Sequence, residues 1–246
     1  MNKILVLNLK VLSKIVNLFD ELGIKKLDNH TLKSPIWSIA GIDSTQFNDL
    51  PVTFNITDRL LEIRAQMLGQ KTLVASPVPK EINATLRPYQ VEGVNYLERL
   101  RNMYLGGILA DDMGLGKTLQ TIVTLSQSKK EAKSPSIIVC PTSLLYNWKE
   151  EFHKFNPGYK TLVVDGIPNQ RKKSIETIDQ YDAIITSYSL LQKDIELYEK
   201  TTFHYSILDE AQHIKNRSTR NAKSVKMLNS NYKLILSGTP IENSLD

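Results

Sequence analysis

From about residue 85 onward, short apolar runs alternate with longer stretches in which apolar residues recur every three or four positions. Such alternation predicts β-strands joined by α-helices, the pattern of a parallel sheet in an α/β fold. The runs at 137–140 and 234–236 are almost continuously apolar, which is typical of strands covered on both faces. We therefore expect a parallel central sheet flanked by helices.

The bounds of the predicted elements follow from these runs and from helix-capping signals. The predicted strands are 107–110, 136–140, 161–164, 183–186, 206–209 and 233–237. The predicted helices are one that begins near Pro88 and those at 117–128, 143–154, 168–178, 187–198 and 216–229. Pro88 suits a first helical turn because the N–H group that it lacks would have no partner there.

The first 80 residues carry weaker signals. Apolar residues recur at helical spacing between 4 and 19 and again between 60 and 68, which predicts two amphipathic helices. The sequence Ser-Pro-Val-Pro at 76–79 favours neither a helix nor a central strand, so we predict a linker near 72–84. The expected organisation is a small, mostly helical accessory segment over 1–84 and an α/β lobe over 85–246.

Composition narrows the classes of function. The single cysteine, Cys140, excludes a disulfide framework and a cysteine-built zinc site and predicts a reducing, cytoplasmic location. No run of about 18 apolar residues occurs, so no membrane partner is expected. The net charge of +5 permits a polyanionic partner such as nucleic acid but does not establish one.

Residues 111–118 read Asp-Asp-Met-Gly-Leu-Gly-Lys-Thr and connect a predicted strand to a predicted helix. In this setting backbone N–H groups and the helix amino terminus can hold a phosphate chain. Lys117 would reach the β- and γ-phosphates, and the Thr118 hydroxyl would hold Mg²⁺. The general pattern has glycine where this chain has Asp111, so this motif alone leaves nucleotide binding and a chance glycine turn equally open.

A second motif lies at 206–213, where an apolar run ends in the adjacent carboxylates of Asp209 and Glu210. Phosphoryl transfer to water needs a metal-bound carboxylate and a group that orients the attacking water. Asp209 is the predicted Mg²⁺ ligand, and Glu210 is predicted to act in catalysis beside Lys117. The alternative is an ordinary strand end with two solvated acids, which the presence of both motifs at strand ends of one α/β pattern disfavours.

Together these motifs resemble the Swi/Snf-type ATPases of helicase superfamily two, over about 84–246 and in the family's order. The resemblance implies a RecA-like P-loop lobe that binds ATP and Mg²⁺, and an acidic residue is usual in the family at the position of Asp111. It implies that Gln90 hydrogen-bonds the adenine edge. The residues implied to bind ATP are Arg87, Gln90, Asp112, Met113, Gly114, Leu115, Gly116, Lys117 and Thr118.

The same resemblance assigns the remaining motifs. The residues implied to touch the nucleic-acid backbone are Pro141, Thr142, Thr186, Ser187 and Tyr188. The residues implied to couple hydrolysis to strand movement are Gln212, His213, Ser237, Gly238 and Thr239. Trp148 is expected to be core packing rather than a base-stacking platform. The basic cluster at 171–173 is expected to be ordinary mixed surface, whereas the acid-free, basic stretch at 211–235 suits a phosphate backbone and a solvated helix face equally.

The function implied is that of the first ATPase lobe of an ATP-dependent double-stranded DNA translocase or remodeller of protein–nucleic acid complexes. The sequence does not identify the cargo, which leaves a nucleoprotein, RNA polymerase and a repair intermediate open. A nucleoid location is expected if the protein is bacterial. The resemblance implies that the second lobe, which supplies arginine fingers in this family, is missing from these residues. We therefore expect the 246-residue chain alone to bind Mg·ATP weakly and to hydrolyse it barely.

Two alternatives remain open. One is a non-catalytic truncated module that binds nucleotide, DNA or a protein. The other is an RNA helicase, which is disfavoured because this chain reads Asp-Glu-Ala-Gln at 209–212 and Ser-Gly-Thr-Pro at 237–240. RNA helicases of the DEAD type typically carry Asp-Glu-Ala-Asp and Ser-Ala-Thr instead.

Overall fold

The chain divides into two compact units, Met1–Leu73 and Val74–Asp246. The division lies inside the linker predicted near 72–84. The computed structural model describes residues 9–21, 56–71, 76–112, 114–214, 216 and 218–238. Within these ranges no helix is long and apolar enough to cross a bilayer.

The first unit contains two described helices, α1 (Leu9–Glu21) and α2 (Asp58–Met67). They lie where helical periodicity predicts them, although residues 4–8 fall outside the described ranges. The Thr57 hydroxyl caps α2 by accepting a hydrogen bond from the N–H of Leu60 at 3.4 Å, which supplies a partner to an otherwise unpaired amide.

The second unit is built on a parallel six-stranded sheet in the order β1-β6-β5-β2-β4-β3. The strands are β1 (Gly107–Leu109), β2 (Ser136–Cys140), β3 (Thr161–Val163), β4 (Ala183–Ser187), β5 (Thr202–Leu208) and β6 (Asn229–Leu236). The helices are α3 (Pro88–Asn102), α4 (Lys117–Ser128), α5 (Leu145–Phe155), α6 (Pro168–Ile175), α7 (Tyr188–Asp194) and α8 (Arg220–Met227). The predicted α/β class is confirmed.

Helices cover both faces of the sheet. On one face, α3, α4 and α5 form a buried apolar cluster with Ile138 of β2. On the other face, α6, α7 and α8 form a second cluster with Ile137 and Val139. Adjacent β2 residues therefore point to opposite faces, as the period of a strand requires, and all of β2 is buried.

Both β5 and β6 are longer than predicted. β5 begins at Thr202 and β6 at Asn229, instead of at 206 and 233. Thr202 pairs with Asn229, so each strand provides the partners for the polar start of the other. The early start of β6 also ends α8 at Met227.

The segment 76–84 is the start of the second unit and packs against its helices. The N–H of Ser76 donates to Oε2 of Glu98 at 3.0 Å, and the N–H of Asn83 donates to the carbonyl of Phe155 at 2.8 Å. These bonds attach the segment to α3 and to the end of α5. The stretch of the predicted linker from 76 onward is therefore bonded to the lobe.

The expectation of an ordinary mixed surface at 171–173 is wrong for Arg171, which is 4% exposed. Its guanidinium donates two hydrogen bonds to the carboxylate of Asp194, at 2.6 and 2.9 Å. A third bond goes to the carbonyl of Gly166 at 2.7 Å. Lys172 and Lys173 remain exposed.

Candidate nucleotide-binding site

The predicted motifs meet at the carboxyl edge of the sheet. The phosphate loop follows β1, the acidic pair at 209–210 follows β5, and Ser237 follows β6, which lies between them. Pro141 follows β2, whereas Ser187 ends β4. Because all strands are parallel, these ends share one edge, which is where open α/β sheets bind their ligands.

Two glycines shape the phosphate loop. Gly114 and Gly116 have φ values of 84° and 78°, in the left-handed region that glycine adopts readily. A Cβ atom on Gly116 would also lie 2.4 Å from Nε2 of Gln90. Lys117, the first residue of α4, follows directly, so the loop opens onto a helix amino terminus. Met113 lies outside the described residues.

Gln90 connects the start of α3 to the loop. Its Oε1 accepts a hydrogen bond from the N–H of Arg87 at 2.9 Å, and its Nε2 donates to the carbonyl of Leu115 at 3.2 Å. The Gln90 side chain is 7% exposed. Its amide therefore holds the loop in this structure, a role that sequence reasoning missed.

Lys117 folds back onto its own loop. Its Nζ atom donates to the carbonyls of Asp111 at 2.7 Å and Asp112 at 3.0 Å. Gln120, one turn further along α4, is fully buried and donates to Oδ2 of Asp111 at 3.3 Å. It donates as well to the carbonyl of Leu115 at 3.4 Å. Sequence reasoning missed Gln120, which has no place in the phosphate-loop pattern.

Both carboxylate oxygens and the backbone carbonyl of Asp209 accept hydrogen bonds. Its Oδ1 accepts from the N–H of Glu210 at 2.9 Å and its Oδ2 from Nε1 of Trp148 at 2.8 Å. Its backbone carbonyl accepts from the Tyr188 hydroxyl at 2.8 Å. Burial raises the pKa of Asp209, while the bond from Trp148 and the charge of Lys117 oppose that rise.

Glu210 has the left-handed backbone conformation, with φ of 49°, which is uncommon for a residue with a side chain. Its Oε2 accepts a hydrogen bond from Nε2 of Gln212 at 2.8 Å. Gln212, predicted as a coupling residue, thus holds the carboxylate that is predicted to orient water. The side chain of His213 and all of Thr239 lie outside the described residues.

The two ATP motifs lie at the same edge of the sheet, after β1 and β5, with only β6 between those strands. Among the described residues, no cluster of three or more His, Cys, Asp or Glu could hold a metal alone. Mg²⁺ is usually bound by one or two carboxylates together with substrate phosphates. Asp209 and the half-buried Thr118 fit a site of that kind.

The residues predicted to touch nucleic acid differ in exposure. Thr142 is exposed and Pro141 is half-buried. Thr186, Ser187 and Tyr188 are at most 4% exposed. The Ser187 hydroxyl instead caps α7. The structure therefore brings the first pair, and not the following three, to the surface.

A phosphate loop at a helix amino terminus, with a buried aspartate two strands away at the same edge of the sheet, is typical of a P-loop nucleotide-binding lobe. The model of the SNF2-related domain matches residues 89–246. This chain belongs to the SNF2-related family of helicase-like ATPases.

Individual relatives show the same likeness. Helicase SWR1 of Candida albicans is 38% identical over 242 residues, covering 88% of this chain and 15% of the relative. TATA-binding protein-associated factor 172 of Homo sapiens is 38% identical over 222 residues, covering 80% of this chain and 12% of the relative. This chain thus spans a small part of the relatives that it matches.

A solved structure shares the fold as well. The Sulfolobus solfataricus SWI2/SNF2 ATPase core in complex with dsDNA is 42% identical to this chain, with a TM-score of 0.64. The match covers 70% of this chain and 36% of that one. The RecA-like lobe implied by the resemblance is therefore confirmed.

Proposed function

We propose that this chain is the ATP-binding lobe of an ATP-dependent double-stranded DNA translocase or remodeller of protein–nucleic acid complexes. The observation that supports this most is the placement of Lys117 and the buried Asp209 at one edge of the sheet. These residues come from different motifs, after β1 and β5, and only β6 lies between those strands. Mg·ATP hydrolysis requires a lysine for the phosphates and a carboxylate for Mg²⁺ in one site.

Each residue has a proposed task in that reaction. Gly114 and Gly116 let backbone N–H groups approach the phosphates, and Lys117 exchanges its loop carbonyl partners for phosphate oxygens. Thr118 and Asp209 would hold Mg²⁺, which when bound neutralises charge on the transferred phosphoryl group.

Two further groups complete the proposed site. Glu210, held by Gln212, orients the attacking water. Gln90 is bonded to the loop and to the N–H of Arg87, and both residues would contact the nucleotide, Gln90 at the adenine edge.

Duplex DNA is the proposed partner. The Sulfolobus solfataricus core was solved in complex with dsDNA. In this chain Pro141 and Thr142, which the resemblance assigns to the nucleic-acid backbone, reach the surface at the end of β2. A nucleoprotein cargo accords with the name of the human relative, a TATA-binding protein-associated factor, whereas RNA polymerase rests on the sequence resemblance alone. The fungal and human relatives lend no support to a nucleoid location, and a cytoplasmic one remains a prediction.

The proposal is tested with mant-ATP, a fluorescent nucleotide, in the presence of Mg²⁺. Lys117→Ala should weaken binding at least about tenfold, because it removes charge-assisted hydrogen bonds to phosphate. Lys173→Ala, an exposed lysine of α6, is the matched control and should change nothing. Equal binding by wild type and Lys117→Ala would contradict the proposed site.

We also propose that the chain alone turns ATP over slowly. In related NTPases, arginine residues that contact the γ-phosphate raise the hydrolysis rate about 10³- to 10⁵-fold. The resemblance places such arginines on a second lobe. Rapid DNA-stimulated hydrolysis by the pure chain would exclude this.

A further inference from the structure

Trp148 is buried as predicted, but it does more than fill the core. Leu145, Trp148 and Phe152 form the buried stripe of α5, and the rings of Trp148 and Phe152 lie 6.1 Å apart. At 1% exposure, the indole has one polar atom, Nε1, and it donates to Oδ2 of Asp209 at 2.8 Å. The apolar face of α5 thus places one hydrogen-bond donor, the indole N–H, at the carboxyl edge of the sheet.

We propose that Trp148 is a positioning residue that orients the Asp209 carboxylate for Mg²⁺. The inference rests on the proposed function and deepens it. Oδ2 is held by Trp148 and Oδ1 by the N–H of Glu210, so rotation of the carboxylate would break both bonds. A carboxylate has about four acceptor sites, and the two bonds leave about two of them for a metal or its water ligands.

The chemistry of the indole suits this task. Indole N–H is a donor that carries no charge and has no acceptor site. It therefore satisfies a buried oxygen while leaving the negative charge of Asp209 for the metal, which a lysine or arginine at position 148 would neutralise. Outer partners that orient metal-binding carboxylates in this way typically change metal affinity or activity 10–100-fold when they are removed.

The test measures how strongly Mg²⁺ enhances the binding of mant-ATP to the 246-residue chain, as the ratio of affinities in Mg²⁺ and in EDTA. Trp148→Phe should lower this ratio about tenfold or more and leave the affinity in EDTA nearly unchanged. Phe152→Leu, which disturbs the same apolar stripe but keeps the indole N–H, is the control and should keep the wild-type ratio.

Asp209→Asn gives the loss of the Mg²⁺ effect that follows when the carboxylate itself is removed. Trp148→Phe added to Asp209→Asn should cause no further loss, because the two side chains would act as one unit. A Trp148→Phe ratio equal to that of wild type, or losses that simply add, would overturn the inference. Absence of Mg²⁺-dependent binding by the wild type would instead contradict the proposed function.

A volume-matched replacement covers the case in which Trp148→Phe does not fold. Substituting β-(3-benzothienyl)alanine at position 148 exchanges the N–H for sulfur and keeps the bicyclic shape. The same loss of the Mg²⁺ effect is expected, with an unchanged unfolding midpoint. A wild-type Mg²⁺ effect in that protein would show that only the packing of Trp148 matters.

Discussion

A Cβ atom on Gly93 would lie 1.9 Å from Oε1 of Gln120. This close approach of α3 and α4 places the Gln120 amide against the phosphate loop, where it donates to Asp111 and Leu115. The absence of a side chain at Gly93 therefore allows the Gln120 amide of α4 to reach the phosphate loop. Its bare Cα is required by a neighbouring side chain and not by its own backbone conformation.

We expect Gly93→Ala to weaken Mg·mant-ATP binding by about two- to tenfold, since the Gln120 amide must rotate away and lose its bonds to the loop. Gln120→Ala should weaken binding to a similar extent. Combining the two substitutions should add little, because the alanine at 93 then meets no amide. Fluorescence titration measures all three, and independent, additive losses would disprove the dependence.

Glu210→Gln should leave Mg·ATP binding close to wild type and slow turnover by about 10²–10⁴, because the amide cannot accept a proton from water. Gln212 can still bond to the side-chain oxygen that remains. The measurement is single-turnover hydrolysis in a two-lobed form of the protein with duplex DNA. Normal turnover by this variant would exclude Glu210 as the group that activates water.

Arg171→Ala should destabilise the lobe by about 3–5 kcal/mol, because it leaves the buried Asp194 carboxylate without its cation. Lys172→Ala, one residue away and exposed, should change the free energy of unfolding by less than about 0.5 kcal/mol. Urea unfolding monitored by circular dichroism measures both. Similar values for the two variants would mean that the Arg171–Asp194 pair contributes little.

Replacing Arg220, Lys223 and Lys226 with glutamine should reduce the salt dependence of duplex DNA binding. These exposed residues share one face of α8, and each phosphate contact contributes about 0.9 to the slope of log affinity against log salt. The slope should fall by up to about 2.7. The matched control, Lys172→Gln with Lys173→Gln on α6, should keep the slope. An unchanged slope in the α8 variant would identify that face as solvated surface.

The sequence predicts those parts of the fold whose signals are local. The predicted bounds of β2 and α4 are correct. A continuous apolar run, buried throughout in the structure, marks β2, and Gly116 directly precedes α4. The starts of β5 and β6 escaped prediction because their polar residues are ordered by pairing with each other. The composition of 229–231, Asn-Ser-Asn, does not favour a strand, whereas Thr202, Phe203 and Tyr205 at the start of β5 do favour one.

The same distinction applies to the site. Lys117, Asp209 and Glu210 are visible because their motifs are short and continuous. The bond from Trp148 to Asp209 spans 61 positions, and it exists only because α5 packs on the sheet face that it shares with α3 and α4. An apolar stripe at helical spacing predicts that Trp148 is buried, but it does not predict where the indole N–H is directed.

Trp148 also gives the protein an optical signal of its own. The chain contains two tryptophans, so a Trp37→Phe protein would emit from the indole whose N–H contacts Asp209. Any event that alters the charge on that carboxylate should shift the emission wavelength or intensity of this single ring. The chemistry of the site could then be followed in real time without an attached dye.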